Sequence, residues 1–134
     1  MISSGAVEDR LAIRELVESY NDAVMRFDGE AWAANWTDDA VWSLPGMGEL
    51  EGKDTFYPMW KQMMAGFSFV GFFASAGPIV VKGATAHATW YQQEFLHQKD
   101  GVKRAITGQY EDDYVKRSGR WFFHKRVYKV LNAQ

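Results

Sequence analysis

With 134 residues and a net charge of −2, the chain has the length of one domain, residues 1–134, able to bury one core. Its mixed charges give nucleic acid and anionic membranes no electrostatic hold. Absent cysteine excludes disulfide and thiolate chemistry. No apolar run reaches the ~20 residues needed to cross a bilayer, and the start, Met-Ile-Ser-Ser-Gly, does not read as a secretory signal, so the expected location is cytoplasmic. Aromatics make up 16% of the chain, which suits either a large apolar cavity or an aromatic-rich core and dimer face.

In chain order, Ser3 or Ser4 offers a capping oxygen to a first helix, with Glu8 and Asp9 in its first turns. Ile13, Leu16, Val17, Tyr20, Val24 and Phe27 recur at steps of three and four, the period of one buried helix face. Asp28 is placed to cap a short second helix, Glu30 to Trp36, with Gly29 easing the break. Asp38 to Leu44 then reads as turn and strand, halted by the loop Pro45-Gly46-Met47-Gly48. Asp54 caps a third helix running to about Ala65, its apolar stripe formed by Phe56, Met59, Trp60, Met63 and Met64.

From Phe67 the texture becomes extended. Strands are expected over Phe67–Ala76, Ile79–Lys82, Ala84–Gln98, Val102–Lys116 and Arg120–Leu131, with turns at Gly77-Pro78, Lys99-Asp100-Gly101 and Ser118-Gly119. Helices followed by an antiparallel meander predict an α+β domain in which a curved sheet wraps the helices into a cone.

The helix from Arg10, the phrase Trp36-Thr37-Asp38-Asp39-Ala40-Val41-Trp42, the Pro-Gly-Met-Gly loop, Gly52-Lys53-Asp54 and Gly119-Arg120-Trp121 resemble the SnoaL-like branch of the nuclear transport factor 2-like superfamily. Among its enzymes the chain looks most like scytalone dehydratase and hexachlorocyclohexane dehydrochlorinase. The resemblance implies a cone-shaped fold, three N-terminal helices packed in a curved antiparallel or mixed sheet, and a homodimer formed through the outer sheet face. It specifies fold better than reaction, because one scaffold carries many chemistries.

Those relatives remove a proton from carbon with a paired His and Asp, the carboxylate orienting the imidazole. An ungapped alignment from Arg10 puts Met25 where they have the Asp, and its continuation puts Phe73, or its neighbour Phe72, where they have the His. Neither Met nor Phe takes a proton. Four polar groups remain as catalytic candidates. Glu94, if its strand face looks inward among Trp42, Trp60 and Trp90, is a carboxylate of raised pKa suited to proton transfer. Tyr20 and Tyr110 offer hydroxyls. Arg126 either holds an anion or bridges Asp112 as structure. Met25, Trp42, Tyr57, Trp60, Phe73 and Trp90 are the expected ligand contacts.

Alternation groups Gly108, Tyr110, Asp112 and Tyr114 on one face, Trp90, Gln92 and Glu94 on another, and His124, Arg126 and Tyr128 on a third, without saying which looks inward. His87 and His97 lie ~33 Å apart on a regular strand, and no element carries metal-ligand spacing, so no metal or cofactor is expected. The reading is a protein that binds a small apolar or aromatic ligand, a lyase or isomerase without the usual pair; the alternatives are a non-catalytic binding or accessory protein and an assembly module.

Overall fold

A computed structural model describes residues 2–134. Its elements are α1 (Val7–Met25), α2 (Gly29–Ala33), β1 (Trp36–Leu44), β2 (Gly48–Glu51), α3 (Lys53–Met64), β3 (Phe67–Lys82), β4 (Thr85–Gln98), β5 (Lys103–Arg117) and β6 (Arg120–Ala133). The strands form one mixed sheet in the order β2-β1-β6-β5-β4-β3, with β1 parallel to β6 and every other pair antiparallel. This is the expected α+β class, a curved sheet with helices against it. The helical part keeps the expected order, with α3 after the first strand, and differs in detail: α2 has only five residues.

Tertiary pairing explains the shifted boundaries. Neither Ser3 nor Ser4 caps α1, whose N-cap is Ala6 with no side-chain bond. Instead Ser3 Oγ accepts the Ile79 N–H at 2.9 Å, and Ser4 bridges the edge of β3 in parallel beside Val80. An unpaired edge strand attracts such a segment, because its amides otherwise lack protein partners. The second helix stops at Ala33 because Trp36 is drawn into β1 opposite Phe123, where its indole is buried. Asp28 does cap α2, accepting the Ala31 N–H at 3.1 Å. Gly52, not Asp54, is the N-cap of α3, which places Asp54 in the positive first turn. Gly77-Pro78 does not end a strand; β3 runs through with a register shift between Ala76 and Ile79, which an edge strand tolerates since proline lacks only an outward donor.

The break after α1 falls at Phe27, not Gly29. The Asp28 N–H reaches Ala23 O and the Phe27 N–H reaches Val24 O, the paired closure of a Schellman turn. That turn needs a left-handed residue, and Phe27 supplies it at φ 57°. Phe27 therefore leaves the buried stripe and is 39% exposed. Phe27→Gly is expected to stabilise the fold by about 0.5–1 kcal/mol, left-handed strain relieved less the added entropy of glycine in the unfolded chain; urea unfolding measures it.

The core lies between α1, α3 and the inner sheet face. Ile13, Leu16, Val17, Tyr20, Ala23 and Val24 are the buried face of α1. Around Trp32 gather Trp36, Trp42, Phe56 and Trp60, the last stacked at 4.5 Å and 14°. All six tryptophans are buried, so most of the aromatic content serves packing.

Candidate functional site

Between the inner sheet face and the helices lies a largely apolar cavity of about 170 Å³. Tyr20 and Val24 reach it from α1, one turn apart; Trp60, Met63 and Met64 come from α3. The sheet contributes Trp42 and Leu44, then Val70 and Phe72, then Glu94 and Leu96, each pair two residues apart and therefore on one side of the pleat. Phe67, Tyr110 and Tyr128 complete the wall.

The expected contacts divide sharply. Tyr20, Trp42, Trp60, Glu94 and Tyr110 line this cavity. Trp90 does not; it is core, and its indole N–H donates to Tyr114 Oη at 2.8 Å. Tyr57 lines a separate open groove of about 590 Å³, with Gly29 and Lys61, sharing only Trp60 and Met64 with the cavity. Met25 and Phe73, 38% and 55% exposed, face away from the cavity. Their neighbours Val24 and Phe72 line it instead. One step along a helix turns a side chain about a quarter of the way round, and one step along a strand sends it through the sheet.

Arg126 is absent from the wall. It lies behind it, fully buried, with its guanidinium 3.7 Å from the Tyr110 ring centre and 4.5 Å from that of Tyr20. Nε donates to Asp112 Oδ1 at 2.7 Å and Nη2 to Oδ2 at 3.0 Å. Tyr114 Oη donates to the same carboxylate at 2.6 Å. Burial pushes the Asp112 carboxyl up overall, with the charge and bonds of Arg126 and the Tyr114 hydroxyl pulling it only partly back; facing a full counter-charge and three donors, it stands as the ionised member of the pair. Burial opposes the Arg126 cation, yet the charge and hydrogen bonds of Asp112 together with the neighbouring Tyr20 and Tyr110 more than offset it and hold the proton more firmly than in water. Of the two roles open to Arg126, the geometry shows the structural bridge.

Glu94 is the one carboxylate in the wall. Burial pushes its pKa up, while hydrogen bonding from Gln92 and Tyr128 and the charge of Arg104 pull it partly back. Tyr128 Oη lies 3.2 Å from Gln92 Oε1 and 3.3 Å from Glu94 Oε1. Tyr128 belongs to the site and was not among the expected residues. Its signal was its spacing two residues from Arg126, obscured because His124 does not share that face. The β5–β6 register shifts between Asp113 and Tyr114, pairing Lys125 and then Phe123, so His124 is the extra residue of a bulge that breaks the alternation.

The histidines lie outside the cavity. His124 Nδ1 faces Thr37 Oγ1 at 3.3 Å and Asp39 at 3.7 Å, both at one nitrogen. On the outer sheet face His87 Nδ1 meets Asp113 and Nε2 meets Glu111, each at 2.9 Å. Among the described residues no group of three or more His, Asp or Glu converges as a metal site. Partial burial disfavours the charged His87 ring, but the bonds and charges of Asp113 and Glu111 raise its pKa overall. The folded ring thus keeps its proton to a higher pH than the ordinary ~6.5. Its contribution is full below about pH 6.5 and disappears as pH rises through the folded value. Half exposed, the cluster is worth less than about 1 kcal/mol; His87→Gln is expected to flatten this part of the melting-temperature profile.

No curated protein matches the chain by sequence. Solved structures match almost throughout. A protein from Novosphingobium aromaticivorans named as a candidate aromatic ring hydroxylase is 25% identical, with 98% of this chain and 95% of that one covered at a TM-score of 0.88. A candidate scytalone dehydratase from the same organism is 20% identical, with 96% and 87% covered at 0.88. A type 2 hexachlorocyclohexane dehydrochlorinase is 17% identical, with 96% and 88% covered at 0.86. These likenesses extend over the helices and the mixed sheet. Residues 5–127 match the family model described as the SnoaL-like domain, and the chain therefore belongs to the SnoaL-like family, of the nuclear transport factor 2-like superfamily.

Proposed function

We propose that the cavity binds a single-ring, largely apolar molecule and that the protein acts on it as a lyase or isomerase, with Glu94 moving the proton. The supporting observation is one carboxylate, raised by burial, in a wall otherwise made of aromatic, aliphatic and phenolic groups. An apolar cavity near 150 Å³ accepts benzene, so about 170 Å³ fits one ring with small substituents. Trp42 and Trp60 supply stacking surfaces, Tyr20 and Tyr110 orienting hydroxyls beside the reacting centre. Glu94 takes a proton from carbon in this scheme and returns it to the leaving group or to a neighbouring atom.

Ring compounds of this size are expected to quench the fluorescence of Trp42 and Trp60, and proton NMR of the mixtures would follow conversion. Glu94→Gln should lower turnover by about 10²–10⁴ while leaving binding within a few fold. Unchanged turnover in that variant excludes Glu94 as the base; quenching with no conversion of any ligand favours the second reading. That reading is a binding or accessory protein, and the absence of an imidazole from the cavity wall favours it. A homodimer through the outer face, where Phe69, Phe73 and Tyr91 are about half exposed, accompanies either reading, in the cytoplasm; light scattering tests the dimer. Among the described residues no helix is long and apolar enough to cross a membrane.

A further inference from the structure

We propose that Tyr128 is a positioning residue for Glu94 and that Gly108 is the seat that holds it there. The inference rests on Glu94 being the acid–base group of the site, but its test does not require a ligand. Gly108 stands opposite Gln92 in the β4–β5 register, and the ring of Tyr128 lies across it. A methyl group at Gly108 would fall inside contact distance of Tyr128 Cε1 and come within 2.5 Å of Oη and 2.6 Å of Cζ. Such separations are closer than any real side-chain carbon makes, and the atoms struck include the hydroxyl itself. Of the glycines on the inner strands, this one keeps a phenol in place.

What that phenol does follows from counting protons. Tyr128 Oη carries one hydrogen and faces two acceptors, Gln92 Oε1 at 3.2 Å and Glu94 Oε1 at 3.3 Å. When Glu94 is ionised, the hydroxyl donates to it. When Glu94 is protonated, its acid proton donates to Oη and the hydroxyl turns to Gln92, so that state satisfies both contacts and the ionised one satisfies the contact to Glu94. The pair accommodates either protonation state by rotating one O–H bond, with no heavy atom moving. This is what a carboxyl that accepts and returns a proton requires. Around Glu94 the other groups to be counted are Arg104 and Tyr110 on β5, Gln92 on its own strand, Tyr20 on α1, and the apolar Phe72, Met63 and Met64 on β3 and α3. Of these only Arg104 carries a fixed charge.

The test is the titration of the Glu94 side-chain carboxyl by carbon NMR in the ligand-free protein, its resonance assigned by loss in Glu94→Gln. Tyr128→Phe keeps the ring on its seat and removes one oxygen. It is expected to raise the midpoint by about half to one pH unit, the excess of a charge-assisted bond to the ionised form over the neutral bonds made by the acid form. Gly108→Ala is expected to raise it in the same direction, and Gly108→Ala with Tyr128→Phe to raise it no further than Tyr128→Phe alone. An unchanged midpoint in Tyr128→Phe overturns the proposal. A shift in Tyr128→Phe with none in a folded Gly108→Ala overturns the part assigned to the glycine. Should Gly108→Ala fail to fold, Gly108→Ala in a Tyr128→Gly background decides: recovery of folding shows that the clash is with that ring, and continued failure overturns the seat. Failure of every ring compound to bind would defeat the proposed function and leave this result standing.

Discussion

Asp112→Ala is expected to lower stability by about 3–5 kcal/mol, because it strands the buried guanidinium of Arg126 without a counter-charge. The site leaves the cation no second route. Both members have no exposed side-chain surface, Nη1 of Arg126 is already without a hydrogen-bond partner, and the surrounding surfaces are the rings of Tyr20, Tyr110 and Phe123. Those ring faces attract a cation but are worth only about 2 kcal/mol even when dry. Tyr114 would also lose its acceptor, and through it the chain from Trp90 would loosen. Asp112→Leu with Arg126→Met is expected to recover most of the loss, since apolar groups of similar volume commonly replace a buried pair at little cost. Chemical denaturation of the two variants separates the readings. A double variant as unstable as the single one would mean that the charges do more than cancel each other.

Trp32→Ala is expected to cost a similar ~3–5 kcal/mol, by a different cause. Trp32 has no exposed surface and lies 4.5–6.2 Å, ring centre to ring centre, from Tyr20, Trp36, Trp42, Phe56, Tyr57 and Trp60. Its indole N–H makes no close hydrogen bond, so the penalty is mainly lost packing. Trp60 would feel it most, since its ring is stacked on Trp32 and forms the wall common to the cavity and the neighbouring groove. The variant should therefore admit ligands larger than one ring, read as quenching by two-ring compounds that leave the parent protein unaffected. A melting temperature within a degree or two of the parent would show that the cluster collapses around the gap.

How far the chain could be read in advance follows from which forces act locally. The buried face of α1 was legible because helical period and burial coincide over Ile13 to Val24. The β4–β5 hairpin was legible because Lys99-Asp100-Gly101 contains the residue that turns with positive φ, 93° at Gly101. Illegible were features made by distant partners. Ser3 and Ser4 pair with β3 across more than seventy positions, and Trp36 leaves a helical pattern because Phe123 offers a ladder. The strand Gly48–Glu51, whose first residue was read as loop and the rest given no element, forms because it finds β1. At the site the candidate groups were named by chemistry and sorted only by burial. Glu94 proved to face inward, Arg126 to be spent on Asp112, and Met25 and Phe73 to lie one residue out of step with the cavity, an offset that an ungapped count cannot reveal.

The irregularity at His124 has a bearing on how this strand is compared with others. One surplus amino acid there shifts the count downstream, so the inward residues fall at odd positions up to Phe123 and at even ones from Arg126. Losing that surplus by deletion would leave Phe123, Lys125 and Arg126 opposite Tyr114, Asp113 and Asp112 in an unbroken ladder, with the guanidinium still on the inner face. A one-residue difference in length at His124 is therefore expected to be tolerated among relatives, and an alignment that forbids a gap there will pair the wrong residues as far as the C-terminus.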